Sequence, residues 1–290
     1  MNTTDLHIPS NKACDIERYM HSELASLYPE TEIRQFARML FEAFVGWDTA
    51  RYLLHRNDTI NQSDLLKFHW AVEDLRRFRP IQHIIGYTYF CDCRIAVNGN
   101  VLIPRPETEE ITNRIIQLHS IAPKSILDIC TGSGCIAIAL AKQYPYAETH
   151  AADISPEALI LAKRNAIKNN TEIQFHQCDV LAEDPWESYS FDLIVSNPPY
   201  IRQSESAEMH ANVLDYEPHL ALFVEDDDPL VFYRRIGEIA KHSLSPDGRL
   251  VLEINETLGN ETCSLLNGQG FETELHQDFR GKDRMVIATR

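Results

Sequence analysis

"SILDICTGSGCIAIAL", residues 125–140, carries a strand, a sharp turn and a helix in one phrase. Ser125–Ile129 is a short apolar run of strand character, and Cys135–Leu140 has the small apolar side chains of a buried helix. Between them, Gly132 and Gly134 remove side chains where the backbone must bend and a ligand can come close. The texture repeats outward. "THAADI" (149–154) leads into "SPEALILAKRNAIKN" (155–169), with Ser155 as N-cap, Pro156 in the first helical position and Glu157 in the first turn. "EIQFHQCDV" (172–180) and "FDLIVS" (191–196) read as strands, "PLVFYRRIGEIAKHSL" (229–244) as a helix, and "RLVLEI" (249–254) as the next strand. This alternation predicts an α/β class: a mostly parallel, Rossmann-like sheet covered on both faces. "FETELHQ" and "RMVIAT" flank "DFRGKD" with no helix between them, so the last strand is predicted to be antiparallel.

Upstream, the period is helical. Ile16, Tyr19, Met20, Leu24 and Leu27 share one face, as do Ile33, Phe36, Ala37, Leu40, Phe41, Phe44 and Val45. A third stripe carries Leu65, Phe68, Val72 and Leu75, with Ser63 as its expected N-cap. Residues 1–78 are therefore expected to form a small helical bundle. Residues 79–105 are expected to be a β-hairpin connector turning at Asn98-Gly99. The domain from 106 to 290 opens on a helix begun by Pro106, Glu107 and Thr108, with Ile111, Ile115 and Leu118 on its face.

The bulk numbers suit a soluble globular protein: 290 residues, 44% hydrophobic and 24% charged. No apolar run approaches the roughly 20 residues of a membrane span, and the first twenty residues lack the pattern of a secretory signal. A net charge of −16 opposes direct DNA binding, which needs Lys and Arg against phosphates. It favours a basic protein partner or a cationic ligand. Seven Cys without scaffold-like density suit a reduced, cytoplasmic setting, and none stands at zinc-finger spacing.

Strand-to-helix turns at the carboxyl ends of parallel strands form the usual crevice of such sheets. Asp128, just before the glycines, is a poor neighbour for pyrophosphate and suits an ammonium group. Asp153 stands where a carboxylate can bind both ribose hydroxyls, and Asp179 where one can meet an adenine amino group. Each has a bland reading as a helix cap or a strand end. Ammonium, ribose and adenine together describe S-adenosylmethionine. "SNPPYI" (196–201) would enter the same crevice. Pro198 and Pro199 stiffen the backbone and leave their carbonyls as acceptors. The Asn197 side-chain carbonyl and the Pro198 carbonyl can accept both hydrogens of a planar NH2 group, and Tyr200 can cover its face. Such acceptors stabilise positive charge developing on a poorly nucleophilic nitrogen. A sulfonium is already a strong electrophile, so no metal is required.

"SILDICTGSGCIAIAL", "ADISPEAL" (152–159), "FDLIVSNPPYI" (191–201) and "VLIPRPETEE" (101–110) together resemble the protein-(glutamine-N5) methyltransferases that modify peptide chain release factors. "YEPHLALF" (216–223) and "GKDRMV" (281–286) look like this family too. The resemblance implies methylation of the Gln of a Gly-Gly-Gln tripeptide in class I release factors, with S-adenosylhomocysteine as by-product. Carried onto this chain, it implies cofactor contacts from Cys130, Thr131, Gly132, Ser133, Gly134, Asp153, Asp179, Val180 and Asn197. Asn197, Pro198, Pro199 and Tyr200 would hold the Gln amide, with Asn197, Pro198 and Tyr200 in the catalytic role. Pro104 to Thr108 would line the entrance, and the helical bundle would meet the release factor. Val180 stands where some relatives carry an aromatic, and Trp186 is too displaced to replace it. The rival readings are a DNA adenine-N6 methyltransferase, since NPPY also serves amino-directed nucleic-acid enzymes, and a non-catalytic cofactor-binding partner of the translation machinery.

Overall fold

A computed structural model of the chain describes residues 8, 10–118 and 122–290. Residues 1–7 and 9, part of the stretch read for a secretory signal, lie outside the described residues. The chain divides into two compact units, residues 1–86 and 87–290.

The first unit is helical: α1 (Ala13–Leu24), α2 (Glu30–Val45), α3 (Thr49–Leu54), α4 (Gln62–Leu75) and α5 (Ile81–Ile85). The predicted stripes of α1, α2 and α4 supply its core, including Ile16, Met20, Leu40, Phe41, Phe68 and Leu75. Leu27 lies beyond the end of α1 and is exposed. The rings of Tyr52 and Phe68 lie 4.7 and 4.6 Å from that of Phe41. α2 stops at Gly46, whose left-handed backbone (φ +74°) turns the chain out of the helix. The expected cap of α4 is corrected. Ser63 lies inside the helix, and Asn61 holds the N-cap position without a side-chain bond. α3 and α5, of 6 and 5 residues, are too short to show a readable period.

The second unit starts with a hairpin, β1 (Tyr87–Phe90) and β2 (Cys93–Ala96). Its turn is not the expected Asn98-Gly99. Cys91 and Asp92 make it, at φ +46° and +58°, the two left-handed residues of a tight hairpin turn. The Cys91 N–H is held by Glu109 Oε1 at 2.7 Å. There follow α6 (Pro106–Leu118), β3 (Ser125–Ile129), α7 (Cys135–Gln143), β4 (Glu148–Asp153), α8 (Pro156–Lys168), β5 (Gln174–Gln177) and β6 (Phe191–Ser196). After the short β7 (Ile201–Arg202), α9 (Ala211–Leu214) and β8 (Phe223–Val224) come α10 (Val231–Ser243), β9 (Leu244–Glu253), α11 (Gly259–Gly268), β10 (Glu272–Gln277) and β11 (Asp283–Thr289).

Seven strands form the sheet in the order β10-β11-β9-β6-β3-β4-β5. β9, β6, β3, β4 and β5 run parallel, and β11 is antiparallel to both neighbours. This is the predicted Rossmann-like arrangement, with its antiparallel last strand. Chain order reverses direction at β3, so the crevice opens beyond the carboxyl ends of β3, β4 and β6. Burial on both faces explains the nearly unbroken apolar run of β6. Ser155 caps α8 as expected, accepting from the Ala158 N–H at 3.1 Å. Asn165 of α8 is fully buried and ties the hairpin to the glycine turn. Its amide accepts from Ala96 N and donates to the carbonyls of Ala96 and Ser133.

Phe41→Ala should empty the centre of the helical unit and cost about 3–5 kcal/mol. Urea unfolding followed by far-ultraviolet circular dichroism should then show the helical unit losing structure at lower denaturant than in the parent.

Candidate active site

Between β3 and α7 the backbone enters the left-handed region three times, at Cys130 (φ +62°), Gly132 (+54°) and Gly134 (+81°). Gly134 has a second constraint, because a Cβ there would sit 3.1 Å from Ala162 Cβ and 3.2 Å from Ile138 Cδ1. The turn therefore packs closely on α8 only as glycine. Cys130 adopts this conformation with a side chain, at a cost of about 1–2 kcal/mol.

Asp128 holds the turn from beneath. Its Oδ2 accepts from Thr131 Oγ1 at 2.6 Å and from the Ala137 N–H at 3.2 Å. The side chain is wholly buried and not on the cavity wall, so this corrects the expectation that it faces a ligand ammonium group. Its Oδ1 is buried without a hydrogen-bond partner among the described residues. Burial pushes the Asp128 carboxyl up to about 7, against the pull of its hydrogen bonds to Thr131 and Ala137.

A cavity of about 240 Å³ opens above the turn. Its wall carries Cys130, Thr131, Gly132 and Ser133, then Asp153, Asp179 and Val180, and then Asn197 and Pro199. Gly134, Pro198 and Tyr200 are not on that wall. Asp153 ends β4 and links two loops. Its Oδ2 accepts from the Gly132 N–H at 2.8 Å, and its Oδ1 from the Ser155 N–H at 2.9 Å. Burial raises its carboxyl pKa, and those N–H groups oppose the rise. β5 stops at Gln177, so Asp179 lies in the following loop, where its Oδ1 accepts from the Leu181 N–H at 3.0 Å. Among the described residues, Phe232 of α10 is the aromatic on the wall. Sequence reasoning missed it, because it reads as one more apolar residue of a helix. Trp186 is buried in the core.

The donor set fits an adenosyl ligand that carries hydroxyl and amino groups. Two carboxylates face the cavity, and Arg105 is the one Lys or Arg on its wall among the described residues. A pyrophosphate would find the opposite balance.

The NPPY phrase occupies the corner beyond β6. Asn197 Nδ2 donates to Thr108 Oγ1 at 3.2 Å. Thr108 Oγ1 donates to Glu253 Oε2 at 2.7 Å, and the Tyr200 hydroxyl donates to Glu253 Oε1 at 3.1 Å. Tyr200 thus packs towards the core behind the cavity. Burial raises its phenol pKa well above the ordinary value, and the nearby Glu253 adds to this. Burial also raises the Glu253 carboxyl, against the hydrogen bonds of Thr108 and Tyr200 and the charge of Arg284. Glu253 was not foreseen. The available signal was a carboxylate at the end of the otherwise apolar "LVLE".

Two more separated phrases meet at Glu217, itself buried. Its Oε2 accepts from the Ile103 N–H at 2.9 Å, and its Oε1 pairs with Arg105 Nη2 at 2.5 Å. "IPRPETE" and "YEPHLALF" are therefore bonded to each other. Pro104, Arg105 and Thr108 line the cavity, whereas Pro106 and Glu107 do not.

Fold and site together define an α/β methyltransferase. Residues 112–216 match the family model described as methyltransferase small domain, and residues 16–86 match that of the PrmC N-terminal domain. The release factor glutamine methyltransferase of Flavobacterium psychrophilum is 45% identical over 268 residues, covering 91% of this chain and 94% of that protein. The protein of the same name from Bacteroides thetaiotaomicron is 39% identical over 276 residues, covering 95% and 99%. A solved methyltransferase from Pyrococcus furiosus shares the fold, with a TM-score of 0.51 over 68% of this chain and 88% of its own, at 18% identity. The chain belongs to the release factor glutamine methyltransferases.

Asp128 supports a prediction about pH. Its folded-state pKa lies above the ordinary 3.8, so folding favours the protonated form. Its stabilising contribution is present below about pH 4 and is lost as pH rises through about 7. Asp128→Asn has no such proton to lose. Its melting temperature relative to the parent should therefore rise between about pH 5 and about pH 8, as measured by thermal melts in matched buffers.

Proposed function

We propose that this protein transfers a methyl group from S-adenosylmethionine to the side-chain amide nitrogen of the Gln in the Gly-Gly-Gln tripeptide of class I release factors. The observation that carries the reading is the position of Asn197. It lies on the wall of the cavity that also holds Asp153 and the glycine turn, with its Nδ2 committed to Thr108. Its Oδ1 has no hydrogen-bond partner among the described residues and is left to accept from a substrate.

When bound, S-adenosylmethionine supplies an electrophilic methyl group. Asp153 would hold the ribose hydroxyls, and backbone from Cys130 to Gly134 would follow the amino-acid portion. Asp179, Val180 and Phe232 would border the adenine. Asn197 Oδ1 and the Pro198 carbonyl would accept the two amide hydrogens of Gln. An amide nitrogen is a poor nucleophile because its lone pair is delocalised, and two fixed acceptors stabilise the positive charge that it gains on attack. Holding the nitrogen about 3 Å from the methyl carbon supplies proximity. Tyr200 would act from behind the cavity, through Glu253 and the packing of the corner. Residues 1–78 would dock the release factor, and the acidic chain suits a basic partner. An enzyme of translation termination works in the cytoplasm. Among the described residues, no helix is long and apolar enough to cross a membrane. The relatives favour the glutamine reading over a DNA adenine substrate.

Mass spectrometry of a class I release factor, after incubation with enzyme and cofactor, should show one added methyl group localised to Gln. Asn197→Ala should lower the rate by about 10²–10³-fold. Full activity in that variant would overturn the clamp, and methylation of DNA but not of the factor would overturn the substrate.

A further inference from the structure

Gln and Glu are nearly the same shape. A pocket that accepts one and refuses the other must do so through hydrogen-bond polarity. The same limit applies inside the protein, because the oxygen and nitrogen of an Asn amide are close in size and only its partners decide which way it faces.

Here those partners form a directed chain. Two hydroxyl donors, Thr108 and Tyr200, and the charge of Arg284 favour the accepting carboxylate form of Glu253 against its burial. Glu253 Oε2 takes the single hydroxyl proton of Thr108, over 2.7 Å. With that proton committed, Thr108 Oγ1 can only accept, and what it accepts is Asn197 Nδ2, over 3.2 Å. Asn197 must then turn Oδ1 away from Thr108. Tyr200 holds the other carboxylate oxygen, so Glu253 is anchored from both sides. Thr108 and Glu253 are both buried.

We propose that Thr108 and Glu253 are positioning residues that fix the polarity of Asn197 and thereby select a carboxamide over a carboxylate side chain. The inference rests on the glutamine reading above. An inverted Asn197 would show N–H groups to the substrate, repelling the NH2 of Gln and welcoming the oxygens of Glu. Thr108→Val removes the hydroxyl with little change of shape and releases the amide to turn. Thr108→Ser keeps the hydroxyl and the order.

The test uses the full chain, a class I release factor, and the same factor with Glu in place of the tripeptide Gln. Binding of each is measured by calorimetry with S-adenosylhomocysteine present, and methyl transfer to the Gln form is followed in parallel. The parent should prefer the Gln form. Thr108→Val should shrink that preference by about tenfold, the worth of one hydrogen bond, and Thr108→Ser should restore it. A preference unchanged in Thr108→Val would overturn the proposal. If Thr108→Val fails to fold, as judged by circular dichroism, Thr108→Ala removes the same hydroxyl and is read the same way. Failure of the parent to methylate the Gln form would instead overturn the glutamine reading itself.

Discussion

Glu253 ends β9 with its carboxylate almost fully enclosed, and it accepts from Thr108 of α6 and Tyr200 of the NPPY phrase. Enclosing a carboxylate costs several kcal/mol, at roughly the level where hydrogen bonds must compensate it or the group neutralises. Two donors and the nearby Arg284 supply that compensation. Removing either donor leaves a buried oxygen unsatisfied, so the two phrases hold each other in place. Thr108, held in this way, is the acceptor for Asn197 Nδ2.

The opposite side of the cavity uses the same device with backbone donors. Asp153 ties the glycine turn to the start of α8 through Gly132 and Ser155. Asp128 ties the turn to the first residues of α7. Glu217 fixes the strand-to-helix approach through Ile103 and Arg105. Each carboxylate spans segments that are remote in sequence or change direction sharply. Together they make a rigid floor, where reacting atoms can be positioned without reorganisation at the moment of reaction.

The legible parts of the sequence were those with period and length. Strands β3, β4 and β6 and helices α7, α8 and α10 show the βα alternation directly, and Ser155 announces its helix by cap chemistry. Asp153, Asp179 and Asn197 were readable because the topology puts strand ends in one crevice. Where local chemistry misled, tertiary contacts had decided the outcome. Asn98-Gly99 is the stronger hairpin signal, yet Cys91-Asp92 makes the turn, with Glu109 holding its backbone. Asp128 looked like a ligand carboxylate but serves the turn from below. Glu253 and Glu217 act through partners more than fifty residues away along the chain, which no local pattern reports, and Phe232 reads as one more apolar residue of its helix.

Asn165 bears on how the protein can be cut. Its amide fills backbone positions on the hairpin and on the glycine turn at once. A shortened chain starting at residue 106 would keep the glycine turn and the NPPY phrase and still strand this amide in the interior, with two of its three bonds gone. Such a fragment would lose the brace behind Ser133. The hairpin is thus part of the smallest piece able to hold a nucleoside, and minimal versions of the enzyme should begin before Tyr87.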